Sequence, residues 1–276
     1  MYNVIKYFLP LLVAAALMTG CSGTDSRTEQ AQALLEQARA SVARKDYAAA
    51  VTALDTLDKK YRDCTALRRE GTILRTEALR DLTLDSISAN DARLTELQRA
   101  VDAGASRFRR VDVAGTEGYY VLASEQKSWN LNKTGIQPRI EPDGYFYIAV
   151  NLNGRTIGLN ALSAGGVRSG AGSSVAVEGS EVMNLRQEQA QPFVEALAGG
   201  GAPVKVTLCG TRGNLPLTLD RKAVDAIGET WSYALARQEL RLKLIQRERL
   251  ERQLARLRDA LANLPAEADG APGAEQ

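Results

Sequence analysis

Leu250, Leu254, Leu257, Leu261 and Leu264 step along the chain by four and three residues, the spacing that keeps an apolar seam on one side of an α-helix. With Asp220 as its N-cap, this helix runs from 220 to 264 and is roughly 65 Å long at 1.5 Å per residue. A rod of that length cannot be buried in a globule of 276 residues, so it must lie against a partner helix. The candidate within the chain is the segment 65–103, where Ile73, Ile87, Leu94 and Val101 are separated by multiples of seven and Leu97 lies beside them. Arg80 interrupts that seam, and the stretch SISAND around Asn90 is expected to break or kink the helix. One helix enters the segment between them and the other leaves it, so the pair is expected to run antiparallel, with Ile73 near Leu257 and Val101 near Ile227.

Between these helices the period changes. GYYVLA, GYFYIAVNL, RTIGLNAL, SVAVEG, SEVMNL, PVKVTL and LPLTL are short runs rich in β-branched and aromatic residues, separated by turn residues. Asn153-Gly154 is the strongest turn signal, since a type I′ hairpin needs two residues at positive φ. Pro142-Asp143-Gly144 and Gly179-Ser180 read as further turns, and Gln189 to Ala198 as a short helix ended by Gly199-Gly200-Gly201. The expected fold is therefore α+β: an N-terminal helical hairpin and two long helices forming an antiparallel coiled-coil-like stalk, with an inserted antiparallel β domain. Its boundaries fall at 29–104 for the hairpin and first long helix, 105–219 for the β domain and 220–264 for the second long helix. Residues 265–276, rich in Ala, Gly, Pro and Glu, read as a disordered tail.

The N-terminus carries an address. Lys6 supplies a positive charge, and Phe8 to Met18 form an apolar run too short to span about 30 Å of hydrocarbon, so residues 1–20 read as a signal peptide. The run ends in LMTGC, residues 17–21, which resembles the lipobox of bacterial lipoproteins, with Met18 where leucine is more usual. The resemblance implies that Cys21 is the lipid attachment site and becomes the new N-terminus, and Ser22 after it implies an outer-membrane destination. The alternative is an ordinary secretory signal followed by an incidental cysteine. Residues 21–28 read as a polar tether, with Ser26 and Glu29 forming a capping box. Ala31, Leu34, Leu35, Ala38 and Val42, then Tyr47, Ala50, Val51, Leu54, Leu57 and Tyr61, give two helical stripes separated by Arg44-Lys45-Asp46. The second, DYAAAVTALDTLDKKY, resembles one helix of a tetratricopeptide repeat, with Ala50 at the small crossing position and Leu54 and Leu57 at packing positions. Only one such unit is visible, in residues 29–62, and its closing proline is replaced by Arg62-Asp63.

Composition excludes several chemistries. The chain contains no histidine, which removes the usual general base and the commonest neutral metal ligand, and with them Ser-His-Asp and Cys-His sites. Beyond Cys21 only Cys64 and Cys209 remain, too few for a zinc site built from cysteine alone. In an oxidising envelope these two are the candidate pair for one disulfide, whose long loop would contribute roughly 4–5 kcal/mol; two buried free thiols are the alternative. A net charge of +2 supplies no field that points to nucleic acid. No metal or cofactor is expected.

Three features stand out as candidate surfaces. GGVRSGAGSS, residues 165–174, is glycine-rich, but it leads into a strand and lacks the lysine-serine ending of a phosphate loop, so it reads as a flexible surface loop. Arg237, Arg241, Lys243, Arg247, Arg249, Arg252, Arg256 and Arg258 make the last helix basic, against Glu239, Glu248, Glu251 and Asp259; such mixed charge is the pattern of a solvated face. Aromatic residues gather in the β region, where Trp129, Tyr119, Tyr145 and Tyr147 form a candidate interaction surface alongside Tyr120 and Phe146. Glu178 and Glu181 are a carboxylate pair flanking a turn, expected in solvent. The function expected is a non-catalytic envelope lipoprotein, held to the membrane by its lipid, with an envelope protein partner or self-association through the long helices. The alternative is a glycan- or small-ligand-binding lipoprotein using the aromatic face.

Overall fold

The computed structural model describes residues 23–115 and 117–263; the signal peptide, Cys21 and the tail 265–276 lie outside the described residues. The fold is α+β. In chain order its elements are α1 (Gly23–Ala43), α2 (Tyr47–Lys60), α3 (Thr65–Ala105), β1 (Phe108–Val111), β2 (Tyr119–Leu122), β3 (Gly135–Ile140), β4 (Phe146–Asn153), β5 (Leu159–Ala164), β6 (Val167–Arg168), β7 (Ser173–Val177), β8 (Ser180–Arg186), α4 (Gln187–Ala198), β9 (Val204–Gly210), β10 (Gly213–Leu219) and α5 (Arg221–Ala262). The chain divides into two compact units, residues 85–253 and the remainder. The division cuts α3 and α5 in mid-helix, whereas the sequence reading placed it at the helix–strand junctions.

In the first unit α1 and α2 form the expected helical hairpin. The chain turns at Lys45, whose φ of 60° ends α1, and the Asp46 carboxylate caps α2 by accepting the N–H of Ala49 at 3.1 Å. Ala31, Leu35 and Ala38 of α1 pack with Ala50, Ala53, Leu54 and Leu57 of α2 and Ala78 of α3, all fully or nearly fully buried. The expected tether is helical from Gly23, so Ser26 lies within α1 and is not its cap. Arg27 reaches across from this first turn to the Asp63 carboxylate at 2.9 Å and the Lys60 carbonyl at 3.0 Å, which ties it to the end of α2. Leu254 is buried, with Leu257 and Leu261 half-buried, so the leucine seam is the inward side of α5 in this unit.

In the second unit the ends of α3 and α5 nearest the strands run antiparallel, joined by Arg93–Glu239 at 2.7 Å, Arg247–Asp91 at 3.0 Å and the Asn90 amide donating to the Lys243 carbonyl at 3.1 Å. The expected break at Asn90 does not occur: α3 is continuous, and the Asn90 side chain is spent on the neighbouring helix. Gly104 lets the helices close, since a Cβ there would come within 2.6 Å of the Tyr233 ring, itself stacked on Phe108 at 4.3 Å. These contacts put Val101 level with α5 residues roughly two turns beyond Ile227. Ile227 instead enters the β core, so the expected Val101–Ile227 pairing is corrected.

The strands form a six-stranded antiparallel sheet in the order β1-β2-β3-β4-β8-β7 and a four-stranded one in the order β10-β9-β5-β6. Phe146, Ile148, Val150 and Leu152 of β4 and Met183 and Leu185 of β8 alternate inward to meet Leu159, Leu162, Val206 and Leu208, while Phe193, Val194 and Leu197 of α4 complete the core. Three strands escaped the sequence reading: β1, β3 and β6. Pro138 hides β3, and is tolerated because β2 pairs with β3 only at Ile140, leaving no N–H demanded of the proline on that side. Asn153-Gly154 does not make the expected hairpin. Gly154 takes φ +76°, but the chain then crosses to the other sheet. The type I′ geometry belongs instead to Glu178-Gly179 between β7 and β8, both at positive φ. The glycine-rich stretch 165–174 is not a free loop: it contains β6, Ser169 is buried with its Oγ accepting the Leu162 N–H at 3.0 Å, and the Gly170 and Gly172 N–H groups donate to the Gln189 and Asn160 carbonyls.

Of the two alternatives for Cys64 and Cys209, the structure holds the free thiols and not the disulfide. Both are free thiols, Cys64 against the hairpin core and Cys209 buried on β9, in different compact units.

Glu181, expected in solvent, is 4% exposed. Its carboxylate accepts the N–H groups of Ile157 and Leu159, each at 2.8 Å, and the Ser174 hydroxyl at 2.7 Å. It therefore clamps the crossover from β4 to β5, the segment that carries the chain from one sheet to the other. Burial alone would raise its pKa, but these hydrogen bonds outweigh that and hold it below the ordinary value. A carboxylate lowered on folding adds stability that is present above its unfolded pKa and is lost as pH falls through the folded value. Glu181→Gln is expected to cost roughly 2–3 kcal/mol in urea unfolding at neutral pH and to flatten the acid side of the stability profile below pH 4.5; unchanged stability and an unchanged profile would contradict the clamp.

Candidate functional site

The outer face of the six-stranded sheet carries the candidate site. Alternation sends Arg139 of β3, Tyr147 of β4 and Arg186 of β8 outward, and the strand register sets them side by side, Arg139 opposite Tyr147 and Tyr147 opposite Arg186. The next residues outward on β8, Asn184 and Val182, are followed across the ladder by Ser173 and Val175 on β7. With Tyr119, Glu117 and Val113 at one end and Glu141, Pro142 and Asp143 along a rim, they line an open cleft of about 740 Å³. That volume is in the range of small-ligand sites.

Arg139 is the unusual member. It is 8% exposed, and its guanidinium carbon lies 4.0 Å from the ring centre of Tyr119 and 4.2 Å from that of Trp129, with Tyr147 at 6.0 Å. Tyr119 and Tyr147 meet edge to face at 6.4 Å. Three of the aromatic residues singled out in the sequence thus gather around one buried cation. The fourth, Tyr145, is 49% exposed in the turn before β4 and lines a smaller depression with Gln187 and Glu188 that adjoins the cleft across Glu141, Asp143 and Arg186. Of the other aromatics, Phe146 is core, edge to face with Trp231, and Tyr120 carries Arg237 over its ring at 5.2 Å.

Arg139 itself was missed because a single arginine in a strand carries no distinguishing spacing. Its position is built from below. Gln137, two residues earlier on the same face, accepts the Arg139 Nε–H at 2.8 Å through Oε1 and donates from Nε2 to the Glu125 carbonyl at 2.7 Å. Glu125 lies in a 3-10 turn that opens the loop carrying Trp129. The same loop is fastened by the Asn151 amide, which donates to the Leu131 and Lys133 carbonyls at 2.9 and 2.7 Å, and by the Ser180 hydroxyl, which donates to the Leu131 carbonyl at 2.8 Å. Gln137, Asn151 and Ser180 are all buried.

The charge around the cleft is unevenly met. Arg139 forms no ion pair among the described residues, and its Nη2 is buried without a hydrogen-bond partner. Glu141 is held above the usual carboxylate range by burial and by neighbouring Asp143 and Glu117, with Arg186 opposing. Burial likewise raises Tyr147, against the pull of the Arg139 charge and of a side-chain hydrogen bond with it. Chemically, the arrangement is suited to holding a group: an aromatic-walled cation on one side and a carboxylate rim on the other. Among the described residues no cluster of Cys, Asp and Glu is placed to hold a metal ion, and no helix is long and apolar enough to cross a membrane.

Asn151→Ala removes both strong bonds to the loop and is expected to lower stability by about 2 kcal/mol and, in a Trp231→Phe background that leaves Trp129 as the sole tryptophan, to shift its emission to the red as the ring gains water; an unshifted spectrum would show that Asn151 does not position Trp129. Comparison with family models, with curated proteins and with solved structures returns no match for this chain, so the site stands on its own geometry.

Proposed function

We propose that this chain is a non-catalytic lipoprotein of the bacterial outer membrane, anchored through Cys21, that acts as a protein-interaction module. In this reading the working surface is the outer face of the six-stranded sheet. The observation that carries it is the Arg139 guanidinium, buried between Tyr119 and Trp129 beside an open cleft and unmatched by any carboxylate among the described residues. Charged side chains are rarely buried unpaired, and leaving a charged donor unsatisfied costs more than a hydrogen bond returns. This reading takes the charge at the cleft as the feature that a partner's surface answers.

Two further readings have observations of their own. The convergence of Tyr119, Trp129 and Tyr147 also suits a glycan or small ligand on the same face. Association through the long helices is supported by Leu242, Leu244 and Ile245, which are exposed on α5 at 65%, 47% and 52%.

A photo-crosslinking residue at Val175, which lines the cleft and is 62% exposed, separates these readings in intact cells. The expected result is a discrete crosslink to an envelope protein that is lost with Arg139→Gln and with Cys21→Ser, the latter protein also leaving the membrane fraction. Crosslinks from position 242 alone would move the working surface to the helices. A Cys21→Ser protein that stays in membranes after carbonate washing would refute the anchor.

A further inference from the structure

We propose that this chain pairs with a second copy of itself through β7, the open edge of the six-stranded sheet, in an antiparallel two-fold junction. The inference is independent of the anchor and of the cleft. The outer strands of the two sheets are β1, β7, β10 and β6. An outer strand offers unpaired N–H and C=O groups to any other strand, and proteins blunt such edges with charge, proline or brevity. Three of these strands are blunted: β1 carries Arg109 and Arg110, β6 is two residues long, and β10 carries Pro216. Counting along the ladder from the Gly210–Gly213 pair, Pro216 falls where its missing N–H would face away from β9. β7 reads SSVAV, with no charge and no proline. The two-residue loop Glu178-Gly179 makes Val177 and Ser180 a hydrogen-bonded pair, so Ser173, Val175 and Val177 turn their backbone groups to β8 and Ser174 and Ala176 turn theirs outward. No backbone group among the described residues pairs with that side.

Symmetry names the occupant. Turned antiparallel about Val175, the strand meets itself with Ser174 opposite the second copy's Ala176, and Ala176 opposite its Ser174. These are the residues whose backbone groups are free, so four N–H···O=C bonds form in one register, and the same surface serves both copies. A slip of one residue would set outward groups against groups already spent on β8. Val175, 62% exposed in the single chain, then faces the second copy's Val175 as a non-hydrogen-bonded pair, the arrangement that brings side chains closest and covers this apolar surface. Glu178 at the hairpin tip falls opposite the second copy's Gly172, roughly 20 Å along the strand from its own counterpart, so like charges do not oppose the pairing.

The test uses the full chain with Cys21→Ser, Cys64→Ser and Cys209→Ser, so that neither an acyl chain nor a native thiol contributes. Sedimentation equilibrium is expected to show monomer and dimer in exchange. Val175→Lys, which sets two charges face to face, and Ala176→Pro, which removes an outward N–H from each copy and spares the β8 ladder, should each weaken the dimer at least about tenfold. Under mild oxidation Val175→Cys is expected to form a covalent dimer at least about tenfold faster than Ser173→Cys or Val177→Cys. In the proposed register the two copies of residue 175 have Cα atoms about 4.5 Å apart, within disulfide reach, whereas two copies of 173 or of 177 lie about 13 Å apart along the strand. A chain that sediments as a monomer, a dimer left unchanged by Val175→Lys and Ala176→Pro, or equal crosslinking at the three positions would overturn the pairing; a dimer built through the long helices gives the second of these results. In the photo-crosslinking experiment at position 175, pairing through β7 adds a product of twice the chain's mass that survives Arg139→Gln, which tells it apart from an envelope partner.

Discussion

The β architecture depends on one carboxylate. Where β4 ends, the chain leaves the six-stranded sheet, turns through Gly154 and Gly158 at positive φ, and starts β5 in the other sheet. A segment that changes sheets gives up its ladder partners, and its N–H groups must be satisfied elsewhere. Glu181 supplies the acceptor for Ile157 and Leu159 together, and Ser174 on the edge strand closes the same network. The crossover is thereby fixed to β8, which is itself held in register on β4 by the ladder from Tyr147–Arg186 to Asn153–Ser180. The outward row of Arg139, Tyr147 and Arg186 exists because that register is held.

The elements with strong local periods were readable from sequence. The hairpin, its turn at Arg44-Lys45-Asp46, the Asp220 cap and the β runs all announce themselves within a few residues, because apolar spacing and capping chemistry are local. What escaped is non-local. Glu181 reads as a turn-flanking charge until the crossover is folded over it, and Asn90 reads as a helix breaker until a second helix offers a carbonyl. Pro138 argues against a strand unless its neighbour's pairing is known to stop short. The register of α3 against α5 likewise depends on Gly104 meeting Tyr233, a contact between residues far apart in the chain.

The candidate site was half legible for the same reason. Tyr119, Trp129 and Tyr147 stand out by type, since aromatics are few in this chain. Their meaning comes from Arg139, which the strand pairing brings among them and which Gln137 orients. The loop bearing Trp129 has no regular structure of its own and is positioned by the amides of Gln137 and Asn151 and the hydroxyl of Ser180, buried groups on the sheet beneath it. Buried polar side chains that each satisfy backbone atoms of one loop make that loop part of the rigid scaffold. The cleft is thus preorganised, with its cation fixed before any ligand arrives.

That preorganisation is the central claim, and the guanidinium resonances of Arg139 report on it directly. In a nitrogen-proton NMR spectrum of the full chain labelled at arginine, the account predicts a distinct Arg139 Nε–H signal, moved upfield by the ring currents of Tyr119 and Trp129, exchanging slowly with water, and absent from Arg139→Lys. An Arg139 signal that overlaps the exposed arginines and exchanges as fast as theirs would mean that the side chain is free in solution, and would contradict the account.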